Sequence, residues 1–215
     1  MYRSIFTFTL LFICHFVFGQ VSTAIEIGLN QSTYDMDLFA NTGYSSSTNY
    51  YVGLHSEVPV SEKWSVGLDF EISQRGVVMS RFEDPSWPED TTVIYQDMAF
   101  RFTYFDVQPY IIYNLNENLS FGLGLYAGLN FWESSKRGGG DWQNINQLQF
   151  ISTWDNGMLL NARYRFKKFS LKVEYNWGFS SVNNFVYLDA FRNPVSGDNL
   201  QLRNLQIGLA YFLKE

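Results

Sequence analysis

Three features of the 215-residue sequence predict an all-β protein: an eight-stranded antiparallel up-and-down transmembrane β-barrel with short periplasmic turns and long extracellular loops. The first is a strict two-residue alternation of apolar with small or polar side chains, the period of a strand that has two different faces. The second is a regular alternation between short and long connections along the chain. The third is the placement of aromatic residues at the segment ends while charged residues share the face opposite the apolar one. Aromatics make up 19% of the chain and charged residues 17%, with the apolar content spread over many short segments, so helical membrane spans of about 20 residues are excluded beyond the amino terminus.

The amino terminus has its own character. In "MYRSIFTFTLLFICHFVFG", Arg3 precedes an apolar run from Ile5 to Phe18, and Val17 and Gly19 occupy the small-residue positions of a cleavage site. Residues 1–19 are predicted to be a secretory signal peptide, leaving 20–215 as one barrel domain that starts at Gln20. Cys14, the single cysteine, lies in that apolar run, so the mature barrel is predicted to hold without disulfides.

The strands follow in order. "AIEIGLN" from Ala24 and "NYYVGLHSEVPV" from Asn49 are the first two. "KWSVGLDFEISQR" sets Trp64, Val66, Leu68, Phe70 and Ile72 against Ser65, Gly67, Asp69, Glu71 and Ser73. "MAFRFTYFDVQPYIIY" from Met98 is the fourth, with a phase slip near Tyr104 and Phe105; Pro109 has no amide to donate, so a bulge or an open ladder position is predicted there. "LSFGLGLYAGLNF" is apolar at every odd position from Leu119 to Phe131. "GMLLNARYRF" from Gly157, "FSLKVEYNWGF" from Phe169 and "LRNLQIGLAYFL" from Leu202 complete the set. Short connections fall at "PVSEK", "NLNEN" and "KK", and long ones at residues 31–48, 76–97, 133–155 and 180–200, the asymmetry of outer-membrane barrels. A soluble lipocalin-like barrel would turn the apolar face inward and crowd Trp64, Trp132, Tyr175 and Trp177 into its core. Interfacial belts suit those aromatics better, so the apolar face is assigned to outer-membrane lipid.

The opposite face then lines a narrow lumen. Ser120, Gly122, Gly124 and Gly128 leave room there for side chains from other strands. The same phase directs Glu26, Glu57, Asp69, Glu71, Asp106 and Glu174 inward, together with Arg75, Arg101, Arg163, Arg165 and Lys172, with Arg203 as a further candidate. Acids and bases nearly balance in this set, and buried charges are costly unless paired, so a structural ion-pair network that plugs the lumen is predicted. A proton or ion path is the alternative use of the same residues.

His55 is the one histidine beyond the signal segment, and it points inward beside Glu57. A histidine next to a carboxylate suits general-base or metal chemistry. No Ser/His/Asp order, HExxH motif or Cys/His cluster accompanies it, so no catalytic residue, cofactor or metal is assigned, and a membrane-embedded lipid-modifying enzyme remains the alternative class. "GGGD" lacks the Lys and Ser/Thr of a phosphate-binding loop. The formal charge of −6 and the lack of a dense Lys/Arg cluster exclude nucleic acid as a partner. Recognition is assigned to the long loops, where Trp87 in "RFEDPSWPEDTT" and Lys136, Arg137 and Trp142 in "SSKRGGGDWQN" are the candidate contacts.

Three further motifs carry a resemblance. They are Pro109 in the fourth strand, the Asp-x-Gly from Asp155 to Gly157 that opens the sixth, and the Tyr-x-x-Gly from Tyr175 to Gly178 in the seventh. In this order, over most of the mature chain, they resemble the PorT-like outer membrane beta-barrel family of Gram-negative bacteria. The resemblance implies eight antiparallel strands in the outer membrane, and one branch of that family serves a protein-secretion system. The expected function is therefore a small, closed, monomeric barrel with a structural or interaction role, an accessory of an envelope or secretion complex, with a small pore as the second reading.

Overall fold

The protein is described from a computed structural model that covers residues 21–35, 43–80, 97–146, 153–179, 186–188, 194–196 and 201–214. Residues 1–19, predicted above as a signal peptide, and the candidate loop contact Trp87 lie outside these residues.

Eight long strands form the barrel: β1 Ser22–Asp35, β2 Gly43–Pro59, β3 Trp64–Ser80, β4 Met98–Asn114, β5 Leu119–Arg137, β6 Trp154–Phe166, β7 Phe169–Gly178 and β8 Gln201–Lys214. Each pairs antiparallel with its neighbour in sequence, and β1 pairs with β8, so the sheet closes on itself and leaves no strand edge to the lipid. The closing register sets Glu26 against Ala210, Gly28 against Gly208 and Asn30 against Gln206. A two-residue strand, Gln143–Asn144, folds back on the end of β5, and Val186–Leu188 pairs with Pro194–Ser196 apart from the barrel.

The faces follow the alternation. Ile27 and Leu29 on β1, Leu123 and Leu125 on β5 and Leu160 on β6 all stand on the outer surface, more than half exposed, where lipid covers them. Aromatic belts bound this surface: Trp64 against Tyr113, and Phe169 against Phe166 and Tyr211, near the short turns, and Tyr50, Trp132, Trp154 and Trp177 towards the long loops. The ten residues of β7 extend about 33 Å at ~3.3 Å per residue, or about 25 Å of height at a tilt of about 40°, which matches the apolar band of such barrels.

Glycines on the inner face make room for three tyrosines. Tyr110 fills the space over Gly67, Gly122 and Gly124, Tyr51 that over Gly28 and Gly208, and Tyr126 that over Gly157. A narrow eight-stranded lumen is packed in this way by pairing bare backbone with large rings.

Two expectations change. The strands run further than the apolar pattern suggests, to Asp35 in β1, from Gly43 in β2, to Ser80 in β3 and to Arg137 in β5, so the first long connection shrinks from 31–48 to 36–42. Lys136 and Arg137 are therefore the last strand residues of β5. These extensions carry residues such as Gln31 and Ser46, whose side chains bond each other at 2.8 Å, and lie beyond the apolar band, where nothing demands alternation.

The irregularity near Tyr104 is present, but the extra residue belongs to β5. Thr103 faces Trp132 while Tyr104 faces Asn130, so Phe131 is the unpaired residue of a bulge, and Phe131 and Trp132 both point outward. β4 keeps one phase, with Phe100, Phe102, Tyr104, Asp106, Gln108, Tyr110 and Ile112 all buried. Beside Pro109 the β4–β5 ladder passes from the Val107–Ala127 pair to the Tyr110–Gly124 pair, the open position its missing amide predicts.

Candidate functional site

The inner face assembles two layers of charge. In the layer nearer the short turns, Arg163 of β6 reaches across the lumen and bonds Glu26 of β1, and its other terminal nitrogen donates to Asp69 Oδ2 of β3 at 2.8 Å. Lys172 of β7 lies 2.8 Å from Glu26, 2.7 Å from Glu71, 3.4 Å from Asp69 and 3.5 Å from Glu174. Asp69 Oδ1 accepts from Tyr110 at 3.0 Å and sits 2.6 Å from His55 Nδ1, whose Nε2 lies 3.6 Å from Glu57. Gln108 and Gln206 donate to Glu71 Oε2 at 3.2 and 3.3 Å.

In the second layer, nearer the long loops, Arg75 of β3 pairs with Asp106 of β4 at 2.6 Å and Asp155 of β6 at 2.8 Å. Ser73 donates to Asp106 at 2.6 Å and Tyr126 to Asp155 at 3.1 Å, and the guanidinium lies over the Tyr104 ring at 4.6 Å. All of these charged groups except Glu57 are buried from water. Together the two layers join β1, β2, β3, β4, β6 and β7 through side chains alone.

Ten of the twelve residues assigned to the lumen network thus meet: Glu26, His55, Glu57, Asp69, Glu71, Arg163, Lys172 and Glu174 in one layer, Arg75 and Asp106 in the other. Of the other two, Arg101 takes the outer phase and Arg165 lies at the mouth; the further candidate Arg203 takes the outer phase as well. Arg101 falls on the outer phase of β4 and stacks over Trp142 at 4.1 Å, because the uninterrupted β4 phase sends the even positions inward. Arg203 lies over outward-facing Trp177 at 4.8 Å. Arg165 sits over Phe212 at 3.9 Å, in the mouth between the short turns. That mouth is a cavity of about 420 Å³, with Glu57 in its wall and Arg163 at its inner limit.

The expected near balance of charge is corrected by these placements. The buried lumen holds Glu26, Asp69, Glu71, Asp106, Asp155 and Glu174 against Arg75, Arg163 and Lys172, with His55 as a titratable fourth base. Asp155, Tyr110 and Tyr126 were not assigned to the network from sequence; their even spacing from Gly157, Ile112 and Gly128 is the signal that marks them.

Glu26, His55 and Asp69 present ligand atoms within 4.8 Å of one another. Arg163 and Lys172 already bond the carboxylates of this trio, so a metal ion would have to displace a guanidinium and an ammonium. His55 is buried and turned into the network through Asp69.

A closed barrel with a lipid-facing apolar band and a charged, side-chain-filled interior is an outer-membrane β-barrel. The sequence matches the outer membrane protein beta-barrel domain over residues 18–184, and the chain belongs to that family, which places it in the outer membrane. Among known structures it is similar to Neisserial surface protein A, with 13% identity, 89% of this chain and 97% of that one covered, and a TM-score of 0.50. It is also similar to Ail, the attachment invasion locus protein of Yersinia pestis, with 16% identity, 90% and 99% covered, and a TM-score of 0.46. At these identities the likeness concerns the fold. No curated protein matches the chain.

Proposed function

We propose that this protein is a closed, monomeric, non-enzymatic barrel that works as a structural or interaction protein of the outer membrane. The observation that carries the reading is the pair of charged layers: Arg163, Lys172 and Arg75 each bridge strands across the lumen and occupy the path that ions would need. A barrel without a passage offers its partners only its rims, its loops and its lipid-facing wall. Pro109, the Asp155-x-Gly157 motif and the Tyr175-x-x-Gly178 motif support a PorT-like place within the family, and with it an accessory part in an envelope or protein-secretion complex.

Planar-bilayer recording from the purified, refolded barrel tests the plug. No reproducible single-channel steps are expected from the wild type. Large, uniform steps would overturn the closed reading and favour a small pore.

A further inference from the structure

The shortfall of positive charge is concentrated around Lys172. Its ammonium has three N–H donors and faces four carboxylates, on β1, β3 and β7. Two of them have other strong partners: Glu26 and Asp69 share Arg163, and Asp69 also takes Tyr110 and His55. Glu71 and Glu174 are left with Lys172 and neutral amides. Glu174 Oε1 accepts from Asn176 at 3.1 Å, while its Oε2 has no hydrogen-bond donor and Lys172 stands off at 3.5 Å.

A second count points to the same place. The side-chain carbonyl oxygens of Gln108, Gln206 and Asn176 are buried and have no donor either. Gln206 lies directly opposite Glu174 in the β7–β8 ladder. The same inner face also carries buried donors without acceptors, Asn204 Nδ2 opposite Asn176 and the Tyr51 hydroxyl, so what coincides with the excess negative charge is the orphaned Glu174 Oε2 itself, and one added proton there relieves both, since it neutralises a carboxylate and converts an acceptor into a donor. A metal ion would relieve them less well, because it would sit beside the ammonium of Lys172, which already touches Glu71 at 2.7 Å.

We infer that Glu71 and Glu174, joined through Lys172, form a proton-binding site inside the barrel that holds one proton at neutral pH, carried on Glu174 Oε2. The groups facing it are Lys172 on the same strand, Asp69 on β3, Glu26 on β1, Arg163 on β6 and Tyr51 on β2, whose ring lies 5.0 Å from the Lys172 ammonium. From β4 and β8 come the uncharged Gln108 and Gln206, and β5 brings Gly122 and Gly124 inward. The unfolded chain holds no such proton at pH 7. Unfolding then releases a proton, so this site makes the folding equilibrium constant fall about tenfold for each pH unit from the free glutamate value of about 4.3, through neutrality, until the site empties.

Infrared spectroscopy of the refolded full barrel in deuterated buffer, with glutamate carboxyls carbon-13 labelled, tests the site. The expected result is a protonated glutamate carbonyl band at pH 7 that is lost in Glu174→Gln, together with unfolding midpoints that drop from pH 7 to pH 10 in the wild type and drop less in the variant. If Glu174→Gln does not fold, the labelled wild-type band still decides. Its absence at pH 7 would overturn the inference, as would its persistence in Glu174→Gln. A stability that depends on sodium without any carboxylic band would replace the proton with a bound cation.

Discussion

Arg163 and Glu26, 137 residues apart in sequence, bond each other through the lumen and tie β6 to β1, past the two strands that stand between them in the barrel wall. Removal of the guanidinium strands two buried carboxylates, Glu26 and Asp69, with Lys172 as their remaining fixed cation. Arg163→Met is therefore expected to destabilise the barrel by about 3–5 kcal/mol, the cost of breaking a buried pair from one side. Urea unfolding in lipid vesicles, followed by tryptophan fluorescence, measures it. A loss below about 1 kcal/mol would mean that the network is hydrated and that the lumen is not sealed.

The outer face has an independent check in Leu123. It pairs with Ile111 on one side and Leu160 on the other, all exposed to lipid within the apolar band. Leu123→Arg should cost about 2–4 kcal/mol if the residue lies near mid-membrane. Unchanged stability in lipid would reverse the assignment of the two faces.

The faces were legible in the sequence because a strand in a membrane barrel must answer to two solvents, and a period of two is the only way to do so. Leu119 to Phe131 and Phe169 to Phe179 record that demand almost residue by residue. Where the demand stops, so does the signal: Ser45 to Thr48 and Ser134 to Arg137 are strand, yet polar on both sides, because they stand outside the apolar band. Arg101 and Arg203 were misplaced for a related reason. A charge near the rim can face outward, stacked on Trp142 or Trp177 at the interface, without the cost it would pay at mid-membrane. The identities of lumen partners were not legible at all, since Lys172 meets Glu71 from 101 residues away and no local spacing encodes that meeting.

Packing inside the barrel predicts which glycines cannot change. A Cβ at Gly28 would meet the Ile207 carbonyl and the Tyr51 ring, and would come within 2.7 Å of Gly208 Cα. Two of these obstacles are backbone, so the strain cannot be relieved by a rotamer change. Gly28→Ala is expected to cost about 1–3 kcal/mol, whereas Gly139→Ala, with nothing within 4 Å of the new atom, should be neutral. Equal effects in vesicle unfolding would argue that Tyr51 does not fill the space over β1 and β8.

The tightest turn offers the opposite change, a gain. β6 and β7 are joined by Lys167 and Lys168 alone, and Lys167 adopts a left-handed backbone with φ of 51°. For a residue with a Cβ this conformation costs about 1 kcal/mol or more, while glycine enters it freely. The Lys167 side chain is exposed, so its removal takes away little packing. Lys167→Gly should therefore stabilise the folded barrel by up to about 1 kcal/mol, less whatever the more flexible unfolded chain gains in entropy. A Lys168→Gly control lacks the strain to relieve and should destabilise. If both substitutions destabilised equally, the left-handed turn at Lys167 would not be the conformation that joins the two strands.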